Sequence, residues 1–282
     1  MLFRSLSSRA QQAQSTVQPT QVVPSDSPEH DLPDAREQAT ADLSIQSIQD
    51  IRAAAARVQD ARPRFYAAIL AMEPRRTRND LLRFTEVEMH DADAAPILAL
   101  RLLDEPNTLK LERLALVDAI ARTMGDFGPY LNVLMPAELD PEVRAGLVYQ
   151  LARASEPSAR IGLELALRDA DALVREAAFR SLASQPKVQG ELLSESIVAG
   201  LDESDDAVRT AAAFAARVRG ESLALDRLVS LAQSDSSDAR IQALRAIESI
   251  DAGRLAELDL AALAQDSDPR VARFATKTRA TR

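Results

Sequence analysis

Cysteine and tryptophan are absent from the 282-residue chain, and histidine occurs only twice. Without cysteine there are no disulfides, thiolate metal sites or cysteine nucleophiles, and the composition suits a reducing, cytoplasmic setting. Glycine is scarce at 8 residues and aromatic side chains make up 4%. With alanine and leucine abundant, this points to an all-helical chain and away from a sheet protein. Lysine is nearly missing, because every basic side chain except Lys110, Lys187 and Lys277 is an arginine. No apolar run approaches the ~20 residues of a membrane span. A formal net charge of −9 disfavours sequence-independent binding of nucleic acid by the chain as a whole. A Gly-rich phosphate loop, a Gly-x-Ser-x-Gly elbow and a His-Glu-x-x-His pair are also missing. Acidic residues fall at capping and turn positions such as Asp169, Asp202, Asp235 and Asp266, and no pair of them names a general acid and base. The chain reads as non-catalytic, with no cofactor or metal expected.

What is present is a phrase that returns. Asp140-Pro141-Glu142-Val143-Arg144 reads as a helix start, with Asp140 capping the first amides and Pro141 at the first helical position. Val143, Leu147, Val148 and Leu151 then fall on one helical face. Copies follow with arginine at 175, 209 and 240, and a last one at Asp268-Pro-Arg-Val271 has Ala272 in that slot. Earlier copies place Arg52, Arg83 and Arg113 in the slot, the last of these after Glu112 instead of an apolar residue. The spacing, about 30 to 34 residues, is that of two-helix repeats that stack on one another. A second helical pattern lies between slots, as in 96–103, 158–167, 192–198 and 223–231. Each unit is then two antiparallel helices, neither of which can bury its apolar stripe alone.

The D-x-x-V-R-x-x-A phrase at this period resembles HEAT repeats, in particular the short HEAT-like units first named from phycobilisome lyases, and the resemblance covers residues 43 to 279. It implies a right-handed α-solenoid of about seven to eight two-helix repeats over residues 41–282. It also implies a ladder of polar contacts between neighbouring units, which assigns Asp140, Arg144, Asp171, Arg175, Asp205, Arg209 and Arg240 to structure. Ankyrin and tetratricopeptide signatures are not found.

Residues 1–40 differ in kind. Gln11 to Pro33 is rich in Gln, Ser, Thr and Pro and is expected to be a disordered tail. Its first ten residues carry Leu2, Phe3, Leu6, Arg4 and Arg9 and no acid. They fit a frayed terminus, a docking or membrane-surface helix, or a mitochondrial presequence. The densest basic cluster, Arg62, Arg64, Arg75, Arg76, Arg78 and Arg83, reads as solvated helix ends balanced by Glu73, Asp80, Glu86 and Glu88. His90 beside Glu88, Asp91 and Asp93 reads as a solvated turn. Gly125–Pro129 and Met135-Pro136 mark longer loops, and three extra residues near Pro186-Lys187 break the period.

In HEAT-like stacks the helix with the Val-Arg phrase lines the concave face, so the resemblance places a binding groove there. Six residues past each Val slot the chain reads Arg57, Glu88, Asp118, Tyr149, Arg180, Phe214, Arg245 and Lys277. Tyr149, Arg180, Phe214, Arg245 and Lys277 are the candidate partner-binding residues, because aromatic and arginine side chains anchor interfaces. The competing reading packs Tyr149 and Phe214 into the core. The expected function is a scaffold or adaptor that binds another protein through an acidic or mixed segment. The alternatives are a bilin lyase-like enzyme or chaperone and, less well matched to the acidic balance, a DNA-binding HEAT-like protein.

Overall fold

A computed structural model describes residues 45–71, 91–105, 108–185, 188 and 190–281. The tail expected over 1–40, four of the six clustered arginines, and His30, Glu88 and His90 lie outside them. Fourteen α-helices make up the described chain, and no strand occurs among these residues. In order they are α1 (Ile48–Ala61), α2 (Pro63–Ala71), α3 (Ala94–Asp104), α4 (Lys110–Ile120), α5 (Gly128–Ala137), α6 (Pro141–Leu151) and α7 (Ser158–Ala166). There follow α8 (Ala172–Ser184), α9 (Glu191–Gly200), α10 (Asp206–Arg219), α11 (Leu225–Leu231), α12 (Ser237–Asp251), α13 (Leu260–Leu263) and α14 (Pro269–Ala280).

The recurring phrase starts α6, α8, α10 and α14 by one device, an aspartate cap. Asp140 Oδ1 accepts from the amides of Glu142 and Val143 at 2.8 and 3.4 Å. Asp205 does the same for Ala207 and Val208 at 2.8 and 3.1 Å, Asp171 caps Leu173 at 2.9 Å, and Asp268 caps Arg270 at 2.8 Å. Each such cap satisfies amides that have no partner inside the helix and is worth about 1 kcal/mol. Gly220 ends α10 with φ of 68°, a left-handed conformation that suits glycine.

The apolar slots do what the period predicts. Val143, Leu147, Val148 and Leu151 are fully buried, as are Val174, Val208, Ala239 and Val271 at the equivalent slots. Burial of each large aliphatic side chain contributes ~1.5–3 kcal/mol. Each even-numbered helix from α4 to α14 packs on the next even one, and α5, α9, α11 and α13 pack on the even helix that follows them. One contiguous core runs through all these contacts.

Two elements differ from the sequence reading. Gly128 and Pro129 open α5 and Met135-Pro136 lies in its last turn, so neither pair is in a loop. Tyr130, Leu131, Leu134 and Met135 are all buried and hold that helix together, and a proline so near the end removes only one helical hydrogen bond. The expected helix over 223–231 is split, with a 3-10 turn at Ser222–Ala224 leading into α11. The tighter turn changes the facing of the side chains, so Leu223 is 71% exposed while Ala224 is buried.

Candidate partner-binding face

Two sets of arginines occupy different edges of the even-numbered helices. The slot arginines line the edge where the turns lie. Arg144 makes a bidentate contact with Asp169, Nε to Oδ2 at 2.9 Å and NH2 to Oδ1 at 3.0 Å. Its NH1 donates to the carbonyls of Glu138 and Leu139 at 3.1 and 3.0 Å. Arg175 repeats the pattern with Glu203, at 2.8 and 3.0 Å, and with the carbonyls of Asp169 and Ala170. Arg240 bonds Asp266 at 2.8 Å, and Arg113 pairs with Glu138. Each contact ties one helix start to the next turn in the chain.

The partner acid differs from the one expected. Asp140, Asp171 and Asp205 use their oxygens on the amides of their own first turns, so they are not the rungs. The arginines take the acid two residues before the next cap, namely Glu138, Asp169, Glu203 and Asp266. Those acids also accept from the cap amide in three cases, at Asp140, Asp171 and Asp268, at 2.8 to 3.0 Å. The signal for them was in the sequence as a recurring acid two residues before the caps of α6, α8, α10 and α14. Charge follows from this geometry. The hydrogen bond from Arg144 to Asp169 raises the Arg144 pKa above its ordinary value, outweighing burial. Burial pushes Asp266 up, but the Arg240 guanidinium and the Asp268 amide outweigh it and leave the carboxyl below its ordinary value. Asp268 is lowered further, chiefly by hydrogen bonds from the Arg270 side chain and amide.

The predicted column lies elsewhere on the same helices, and the structure places its members in three ways. Tyr149 is 45% exposed and Arg180, Arg245 and Lys277 are exposed as well. Phe214 is half-buried against the core, with the Arg217 guanidinium 5.1 Å from its ring centroid. The competing core-packing reading is therefore apt for Phe214 and not for Tyr149. Earlier in the column, Arg57 is exposed, and Asp118 accepts from Gln150 at 2.8 Å and Arg122 at 3.2 Å. Neighbouring column members sense each other. Burial, then the Glu176 carboxylate, raise the Tyr149 phenol, while Arg180 pulls it the other way.

Arg180 is paired on its own helix with Glu176 at 2.7 Å. Arg245 and Lys277 have no carboxylate partner among the described residues. Arg153, Arg217 and Arg273 share that condition; Arg153 bonds only the Gln150 amide oxygen, at 3.2 Å. Sequence reading missed these three. Offsets of 2, 9 and 10 from the Val slot fall within about 60° of the offset of 6 on a 3.6-residue helix, and counting them too would have found the residues. The described face thus gathers unpaired cations around two aromatics on a chain of net charge −9. Asp118, Glu176 and Glu248 interleave with them.

Other features resolve into structure. Arg62 donates to Asp91 at 2.6 Å and to Asp93 at 2.8 Å, so both acids beside the His90 position are already engaged. Burial and the Asp93 charge push the Tyr130 phenol up to about 12, inside the core. Pro186 and Lys187 lie outside the described residues; beside them Arg219, whose side chain is 2% exposed, donates to the carbonyls of Gln185 and Val188 at 3.3 and 2.9 Å. A groove of about 910 Å³ that the sequence did not announce opens between α5 and α7, lined by Ile45, Ile48, Val133, Pro136 and Ile161. No group of three or more metal-ligating side chains occurs among the described residues, and no described helix is long and apolar enough to cross a membrane.

Comparison with the models of known protein families, and with curated proteins, finds no match to this chain.

Proposed function

We propose that residues 41–282 form a HEAT-like right-handed α-solenoid of about seven to eight two-helix repeats, and that it serves as a non-catalytic cytoplasmic scaffold. The face carried by α6, α8, α10, α12 and α14 takes an acidic or mixed segment of another protein. The observation that carries this reading is the row Tyr149, Arg180, Arg245 and Lys277, exposed at one position on α6, α8, α12 and α14, with the half-buried Phe214 at that position on α10 between them. The unpaired Arg153, Arg217 and Arg273 lie beside it. A cation without a partner gains little for stability in water, whereas a row of them steers and holds an acidic ligand. Tyr149 supplies a rigid apolar surface of the kind that anchors interfaces. Acids interleaved at 118, 176 and 248 oppose a continuous phosphate backbone and favour a peptide with both kinds of charge.

The test is affinity capture from native cells, comparing the wild type with a variant carrying Y149A, R180A, R245A and K277A. Phe214 is left intact because its ring packs against the core. One defined protein retained by the wild type and lost by the variant, with helical content equal in both, supports the reading. Equal capture by both sinks it.

A further inference from the structure

The turns leading into α6, α8, α10 and α14 each carry two carboxylates, one at the cap and one two residues before it. They are Glu138 with Asp140, Asp169 with Asp171, Glu203 with Asp205, and Asp266 with Asp268. The turn into α12 carries serine at both places, Ser234 and Ser236. Its backbone is held as in the turns into α6 and α8, because Arg240 donates to the carbonyls of Ser234 and Asp235 at 2.8 and 2.9 Å. What differs is the arginine that precedes the turn. Arg209 pairs with Asp206 of its own helix, and its Nε is buried with no hydrogen-bond partner. In Arg144 and Arg175 that same atom sits on the acid of the next turn. In Arg240 it is unpartnered too, but that arginine reaches Asp266 through NH2. What sets Arg209 apart is that none of its partners among the described residues is an acid of the next turn. Ser234 has only a 3.4 Å bond from its hydroxyl to the carbonyl of Ser236.

We propose that Ser234 is a phosphoacceptor, and that its phosphate completes the open rung at Arg209. A seryl phosphate carries about −1.5 to −2 at neutral pH and three acceptor oxygens, which matches the pair of carboxylates found in the other turns. Ser234 is half-exposed in a turn, next to the exposed Asp235 and near the exposed Asp238. Asp235 occupies the place held by Leu139, Ala170, Ser204 and Ser267 elsewhere, so it does not replace the rung acid. In the transfer the γ-phosphoryl of a nucleoside triphosphate moves to Ser234 Oγ. The Oγ–P bond forms, the P–O bond to the nucleoside diphosphate breaks, and the hydroxyl proton leaves to solvent. The junction between α10 and α12 lies between Phe214 and Arg245, so the phosphate tightens the stack at the middle of the cationic face. The inference rests on the rung geometry and stands whatever that face binds.

The experiment uses the full chain with phosphoserine installed at position 234 during translation, in wild-type and R209Q backgrounds. Phosphoserine should raise the thermal midpoint by about 2–4 °C in the wild type and leave R209Q unchanged. A second readout does not depend on stability: the phosphate pKa by phosphorus NMR should fall below its usual ~6 with Arg209 and return in R209Q. Phosphopeptide mass spectrometry of the protein from its native cells should find the group on Ser234. Titrating unmodified protein with inorganic phosphate at constant ionic strength identifies a free anion as the source. The proposal is overturned if that ion alone gives the Arg209-dependent shift and the native peptide is unmodified. It is equally overturned if phosphoserine lowers or leaves the midpoint, or if its effects persist in R209Q.

Discussion

Arginine does two different jobs on the two exposed edges of the even-numbered helices. On the turn edge Arg113, Arg144, Arg175 and Arg240 are each tied to a carboxylate and to backbone carbonyls, and their side chains are 11 to 17% exposed. On the other edge Arg153 and Arg245 are exposed and meet no carboxylate among the described residues. A guanidinium tied in this way to a carboxylate and to carbonyls of its own chain has its charge already engaged and little to offer a ligand. One without a partner contributes little to folding and keeps its charge available. Residue type alone does not separate structure from binding. The acids that a repeat places opposite each arginine do.

The comparison is broken most severely by removing a paired arginine. Arg175→Ala strands the Glu203 carboxylate and two carbonyls in a partly buried turn and should cost about 2–3 kcal/mol. Arg209→Ala should cost less than about 1 kcal/mol, because the only carboxylate partner of Arg209 among the described residues is the exposed Asp206. Urea denaturation of the two variants checks this, and equal losses would mean the rungs carry no special weight. Next in size are the caps. Asp140→Ala should cost about 1 kcal/mol, because the Glu142 amide loses an acceptor at 2.8 Å and the Val143 amide a longer one at 3.4 Å. Ser236→Ala should cost only a few tenths, since its single cap bond is 3.4 Å long.

The acid response sharpens the same contrast. Asp266 and Asp268 titrate below the ordinary 3.8 in the folded chain. A carboxyl depressed by folding stabilises the native state above its unfolded pKa, and that contribution is lost as pH falls through the folded value. Stability should therefore hold above about pH 5 and fall from about pH 4 downward. Asp266→Asn should lower stability at neutral pH and shrink the drop between pH 6 and 3. A full acid drop in that variant would move the effect to other groups.

Much of the helical order could be read from the chain before the structure. Asp-x-x-Val-Arg carries its own mechanism, since a cap, a buried slot and an arginine at fixed offsets all act within one turn and a half of helix. Tyr149, Arg180, Arg245 and Lys277 were found by counting along the same frame, and the structure leaves them exposed. Phe214 was harder, because a ring of that size beside an alanine-rich buried stripe can pack against the core and does so here. The rung acids were missed because they sit outside the helix they stabilise, and helical periodicity carries no information across a turn. The groove between α5 and α7 depends on which helices meet over long separations in the chain, which no local pattern encodes.

The most direct measurement places a photoreactive phenylalanine analogue at position 149, at 245, or at Ile161 on the groove between α5 and α7, and irradiates cells expressing each. The cationic-face account predicts one partner protein crosslinked from positions 149 and 245 and not from 161. Crosslinks to that partner from 161 alone would contradict it and move the binding surface to the groove between α5 and α7.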